Sequence, residues 1–193
     1  PDEMMVEHLM EAGINKLQQS GYGRYEVSAY CQLGEASKHN INYWKFGDYL
    51  GIGAGAHSKI TDAPNRRILR RHKFKQPSSY LDLSRHFLAS EKAIESQEIP
   101  LEFMLNALRM VKGVDASMFS MNTGLSPELI RPSIERAQKQ GLMENWPLRI
   151  QTTELGLNYL NDTLGYFFLD EIYKEAPTKN QSSNETIIIK QID

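Results

Sequence analysis

Residues 39–58, HNINYWKFGDYLGIGAGAHS, constrain the fold more than any other part of the chain. They set an imidazole, an amide and two aromatic rings close together, at His39, Asn40, Tyr43 and Trp44, and then thin the side chains at Gly51, Gly53 and Gly55. The rings need large apolar contact area, whereas alternate glycines let a ligand or another backbone approach closely. On a strand those glycines share one face, so Tyr49–Ala56 is expected to be a strand that ends in glycine. The spacing is not the Gly-x-Gly-x-x-Gly of dinucleotide-binding turns, and no helix follows it. If the first part makes one helical turn, His39 and Tyr43 fall on one side as i and i+4. Imidazole is a common ligand of haem iron, tyrosine can serve as an axial ligand, and flat rings suit stacking on a macrocycle. The plainer reading is a loop whose His39 and Asn40 bond the backbone, whose aromatics fill a sheet edge, and a glycine strand thinned for packing.

The flanking elements read as follows. Asp2–Gln19 carries Met5, Val6, Leu9, Met10, Ile14 and Leu17 at helical spacing, with Asp2, Glu3 and Glu7 in the first turn and a stop at Ser20 and Gly21. Tyr25–Tyr30 is short and β-prone, residues 31–48 read as a loop with at most one helical turn, and Arg66–Phe74 suggests a further strand pair. Helix, strand, loop, strand is an α/β order, for which a parallel sheet buried on both faces is expected. After Pro77 the character changes. Helices are expected over Tyr80–Ser96 and Leu101–Val111, then a short one capped by Asp115, then Ser126–Gln140 with Pro132 kinking or restarting it. A short strand over Leu148–Thr153 precedes a last helix over Thr153–Tyr173. Residues 176–193 read as a loose tail, in which TIII could add an edge strand.

The expected fold is mixed α/β or α+β: the closing segment of a partial (β/α) barrel at 1–76, a mostly helical, winged-helix-like carboxyl-terminal domain at 77–175, and the tail. Two or three strands are too few to cover both faces of a sheet, and Pro1 opens directly on a helical stripe, so the chain reads as a piece of something longer.

Composition narrows the function classes. The chain has 193 residues, 40% hydrophobic and 24% charged, with a net charge of −2. Nothing global draws it to nucleic acid or to an anionic membrane. Residues 101–193 carry nine basic against twelve acidic side chains, which disfavours a winged-helix nucleic-acid binder. The local basic run Arg66, Arg67, Arg70, Arg71, Lys73 and Lys75 could meet phosphate, carboxylates of a tetrapyrrole or a partner; more often such a run is a solvated hairpin face. A single cysteine, Cys31, builds neither a disulfide framework nor a metal cluster and fits a reducing cytosol. No nucleophile elbow, His-Glu-x-x-His or Cys-x-x-Cys motif is present.

Taken in order, GYGRYEVSAY, HNINYWKFGDYLGIGAGAHSKI, RPSIERAQKQGLMENW and TTELGLNYLNDTL resemble the oxygen-independent coproporphyrinogen III oxidase-like radical S-adenosylmethionine (SAM) proteins, in their haem-chaperone branch. The likeness runs from near residue 1 to about 175. It implies a parent whose amino-terminal half holds a four-iron four-sulfur cluster through Cys-x-x-x-C-x-x-C; that motif is not in this sequence, and Cys31 cannot replace it. It implies haem contact at the HNxxYW motif, His39, Asn40, Tyr43 and Trp44, with His39 on the iron. It also implies that Ser28, Ala29, Gly53, Ala54 and Gly55 edge a SAM pocket at the ends of barrel strands. Usual members carry a proline before the HN, where this chain reads LGEASK with Leu33.

The function so implied is haem binding and delivery to acceptor proteins in the cytoplasm, with this stretch catalytically silent by itself. The alternative is a coproporphyrinogen III dehydrogenase that oxidatively decarboxylates two propionates in porphyrin biosynthesis. No transmembrane segment is expected, transient association with a membrane surface stays open, and an exposed barrel edge is expected to favour self-association.

Overall fold

The computed structural model describes residues 2–173. Helix α1 spans Glu3–Gln19; the Asp2 carboxylate accepts from the Met5 amide at 2.8 Å, and Ser20 and the left-handed Gly21 close it. Its apolar stripe stays outside: Met5, Val6, Leu9 and Met10 are exposed. A tight hairpin follows, β1 (Gly23–Glu26) against β2 (Ala29–Cys31), and then the short helix α2 (Lys38–Trp44).

A three-stranded sheet is built from β3 (His57–Asp62), β4 (Arg67–Lys73) and, after the single turn α3 (Pro77–Tyr80), β5 (Leu88–Ala93). Its order is β3-β4-β5 and both pairings are antiparallel, with Ile60 opposite Leu69 and Leu69 opposite Ala93. The parallel sheet expected from the sequence is thus replaced by hairpins. The link from β3 to β4 holds only residues 63–66, turned by Arg66 at φ +50 and by Asp62, which accepts from Asn65 and Arg67. A parallel crossover needs roughly a dozen residues or more.

The helix expected over Tyr80–Ser96 is also overturned, because its second half is β5. Asp82 accepts from the Ser84 hydroxyl and amide and from Arg85, which together lower its carboxyl to about 2 and hold the chain in a turn.

The remaining elements are α4 (Ile99–Ala107), β6 (Val114–Asp115), α5 (Ser117–Thr123), a 3-10 turn at Pro127–Leu129, α6 (Arg131–Lys139), β7 (Arg149–Ile150), α7 (Glu154–Asn158), α8 (Leu160–Gly165) and α9 (Leu169–Ile172). The interruption around Pro132 is real, since α6 restarts with that proline in its first turn. Asp115 accepts from the Ser117 amide at the start of α5. The expected final helix breaks into α7, α8 and α9. The TIII stretch lies outside the described residues.

The core sits in this helical half. Phe103 of α4 is completely buried, edge-on to Phe119 at 5.1 Å and to Phe46 at 5.9 Å, among Ile130, Ile134, Ile150 and Phe167. Phe46 belongs to the chain just after α2. The segment read first in the sequence is therefore rooted in the carboxyl-terminal core.

Candidate functional site

Helix α2 begins where Ser37 accepts from the Asn40 amide at 3.3 Å, so the LGEASK turn supplies a serine cap in place of a proline-containing approach. The HNxxYW residues make two i, i+4 pairs, and the structure sends the pairs to different surroundings. His39 is exposed; its ring meets Tyr43 edge-on at 4.7 Å, and Tyr43 packs on Tyr49 at 4.0 Å. Asn40 donates from Nδ2 to the Tyr25 hydroxyl of β1 at 3.1 Å. Trp44 is half-buried, packs against the hydrophobic core and takes the Arg109 guanidinium over its ring at 4.3 Å. His39 and Tyr43 form a presented pair; Asn40 and Trp44 form an anchored one.

The turn after α2 is held as firmly as the helix. Phe46 adopts φ +60, uncommon for a residue with a side chain, and is 2% exposed. Asn122 of α5 donates to the Lys45 carbonyl at 2.7 Å. Lys59, 2% exposed, places Nζ over the Phe46 ring at 4.2 Å and donates to Asp48 at 2.8 Å. The Asp48 carboxylate also accepts from the Thr61 amide and hydroxyl. Burial works against its ionisation, but the bonds from Lys59 and Thr61 outweigh burial and hold the carboxyl below its ordinary value. Burial pushes the Lys59 ammonium down, and Asp48 offsets this only in part. Burial likewise raises the Tyr49 hydroxyl, with Arg70 beside it working the other way.

The glycine segment is not the strand the sequence suggested. Only Tyr49 makes a bridge, with Lys59, and residues 53–55 turn. Gly53 and Gly55 have φ of +103 and +72, which a strand does not allow. At Gly51 the need is space: a Cβ there would lie 2.1 Å from the His57 carbonyl oxygen. The Gly53 amide donates to the Tyr80 hydroxyl at 3.3 Å and the Gly55 amide to the Phe74 carbonyl at 2.8 Å. Ala54 is exposed between them. Ser28 and Ala29 lie in the β1–β2 hairpin, where Ser28 Oγ accepts from Arg109 at 2.8 Å. Gly53, Ala54 and Gly55 thus form one turn, and Ser28 and Ala29 a separate hairpin tied to Arg109.

Three of the six residues of the basic run have an acidic partner. Arg67 pairs with Asp62, Arg70 with Glu102 and Arg71 with Glu91, while Lys73 lies over Tyr80 and Phe87. That matches the solvated hairpin reading more than a phosphate cradle. Cys31 is half-buried at the end of β2. Among the described residues no three His, Cys, Asp or Glu side chains gather as a metal site. A four-iron cluster has no fit on this chain, because its sequence holds one cysteine.

Sequence reasoning missed Glu26, Asp48, Lys59 and Arg109. Glu26 carried a signal, since a carboxylate in a short apolar strand asks for a buried partner. The partner, Arg109, lies 83 residues away, a separation at which periodicity says nothing.

A mixed helix-and-sheet chain, with a hairpin-held motif helix rooted in a helical carboxyl-terminal unit, is the class defined by this geometry. Residues 94–158 match the HemN C-terminal domain family. The chain is 37% identical to the heme chaperone HemW of Escherichia coli (strain K12) over 170 residues, 88% of this chain and 44% of that protein. It is 38% identical to the heme chaperone HemW of Haemophilus influenzae over 171 residues, 89% of this chain and 44% of that protein. Among solved structures, the coproporphyrinogen III oxidase HemN from Escherichia coli, a radical SAM enzyme, superposes with a TM-score of 0.60 at 16% identity, over 86% of this chain and 42% of that one; this likeness concerns the fold. Residues 94–158 belong to the HemN C-terminal domain family, and over most of its length the chain is a relative of the proteins named heme chaperone HemW. It spans less than half the length of the curated relatives it matches.

Proposed function

We propose that this chain is the carboxyl-terminal part of a haem chaperone: a protein that binds haem and hands it to acceptor proteins. The relatives' shared name supports the class, and one observation carries the site. The His39 imidazole stands exposed on α2, buttressed edge-on by Tyr43, while Asn40 is tied to Tyr25 and Trp44 to Arg109. An exposed imidazole on a rigid base is a ligand that meets iron and lets it go, as transfer requires. In this reading haem is cargo. His39 meets the iron, Tyr43 and its neighbour Tyr49 give the macrocycle an aromatic edge, and Asn40 and Trp44 hold the helix that presents them.

The cluster ligands are assigned to the part of the parent that this chain, at less than half its relatives' length, does not span. The turn at Gly53, Ala54 and Gly55 and the hairpin at Ser28 and Ala29 are proposed as the rim of the SAM pocket, and the first part of the chain as the closing segment of the partial barrel. The sheet of β3 to β5 continues past residue 77, so we place the boundary of the helical, winged-helix-like unit near residue 93, just before the matched family domain begins. Among the described residues no helix is long and apolar enough to cross a membrane. We place the protein in the cytoplasm, where its single cysteine stays reduced, and take the exposed stripe of α1 as the surface through which the isolated chain self-associates.

The competing reading, decarboxylation of coproporphyrinogen III, makes a different product. The intact parent protein should carry haem to an apo-haemoprotein and leave coproporphyrinogen unchanged; loss of carbon dioxide from that substrate at enzymatic rates would overturn the chaperone reading.

A further inference from the structure

Arg109 follows α4, inside the matched family domain, and its side chain leaves that domain for the motif. Its Nη2 donates to Glu26 Oε2 at 3.0 Å and to Ser28 Oγ at 2.8 Å, and its guanidinium plane covers Trp44 with Cζ 4.3 Å from the ring. Glu26 is 3% exposed and also accepts from the Ser28 amide through Oε1, so this is a built ion pair and not a surface contact. The backbone repeats the link: the Val27 amide donates to the Arg109 carbonyl and the Val111 amide to the Tyr25 carbonyl. Arg109 Nε and Trp44 Nε1 are both buried without a hydrogen-bond partner among the described residues. The guanidinium that covers the indole is itself held by Glu26 and Ser28, so those hydrogen bonds set where the stack on Trp44 forms.

We propose that Arg109 is the positioning residue of the haem motif: it clamps the Trp44 indole between the carboxyl-terminal domain and the β1–β2 hairpin, and so fixes the orientation in which α2 offers His39 to a planar iron macrocycle. This rests on the haem reading of His39. A guanidinium suits the task where an ammonium does not, because only a planar fork can pair with Glu26 and Ser28 while lying flat on an aromatic ring. Arg109 acts through Trp44.

The chain has two tryptophans, Trp44 and Trp146, so a Trp146→Phe background makes the fluorescence a report on Trp44 alone. Removing Arg109 by itself would strand the buried Glu26 charge. The test variant is therefore the double change Arg109→Met with Glu26→Gln, accompanied by Arg109→Lys. Acrylamide quenching of Trp44 and haem titration are measured on each. We expect the double variant and Arg109→Lys both to raise quenching by about threefold and to weaken haem binding by about fivefold, with circular dichroism unchanged. Unchanged quenching in the double variant, or full restoration by Arg109→Lys, overturns the proposal. Raised quenching with haem affinity unchanged, while His39→Ala still weakens it, overturns the coupling and leaves the haem reading standing. If His39→Ala also leaves haem affinity intact, the haem reading falls, and this assignment with it.

Discussion

The two i, i+4 pairs of α2 have different partners although they lie side by side on one short helix, and of the four residues only His39 is exposed. Asn40 and Trp44 are tied to β1 and to Arg109, and the turn that follows them is locked by Asn122, Lys59 and a buried phenylalanine. Tyr43 meets His39 edge-on, packs on Tyr49 and lies 6.4 Å, ring to ring, from Trp44. One motif thus does two jobs. Its inner pair lends rigidity, and its outer pair keeps chemistry available, which is the arrangement a binding residue needs when its own rotamer and its base must both stay put. A motif read only as a string of residue types hides this division, because helical spacing separates 39 and 43 from 40 and 44 only once the helix is known to form.

The contrast predicts a graded series of effects. Trp44→Ala should cost about 3 kcal/mol in urea unfolding, as large aromatic truncations in packed sites do; a loss below about 1 kcal/mol would show that the inner face is not anchored. Asp48→Asn removes the partner of a buried ammonium and should cost about 2 kcal/mol near neutral pH, less than a fully buried pair because Asp48 is half exposed.

That cost has a pH signature. The folded-state carboxyl of Asp48 lies below its ordinary value, so its contribution is fully present above the unfolded carboxylate range, about 3.9, and disappears as pH falls through the folded value. The wild-type and Asp48→Asn stability curves should converge on the acid side, and parallel curves down to the acid transition would refute the assignment. Asn40→Ala should cost about 1 kcal/mol, the worth of its bond to Tyr25, with Tyr25→Phe giving a similar loss and the double change no more than either. His39→Ala should change stability by less than about 0.5 kcal/mol, being exposed, and should act on binding alone.

Much of this was legible in the sequence. The i, i+4 relation of His39 and Tyr43, the acidic first turn of α1 and the restart at Pro132 follow from local rules, while the HNxxYW pattern rests on the family resemblance and the strand pair expected over Arg66–Phe74 is the single strand β4. The misread parts share a cause. The glycine run looked like a strand because alternation is the signal for one, yet positive φ at Gly53 and Gly55 is a property of the backbone that alternation does not encode. The second half of the expected helix over Tyr80–Ser96 became β5 because β4 offered it a ladder, a tertiary choice that overrides propensity. Arg109 and Lys59 stayed invisible because their partners are distant in the chain or drawn from another element.

The central claim is that the outer face of α2 presents His39 to haem. Titrating haem into the wild-type chain and into His39→Ala, followed through the Soret band, tests it most directly. The account predicts saturable one-to-one binding that weakens by about tenfold or more in the variant, about 1.4 kcal/mol, with unfolding unchanged. Equal affinity and an identical Soret band in the two proteins would contradict it and return His39 to the surface as an ordinary exposed side chain.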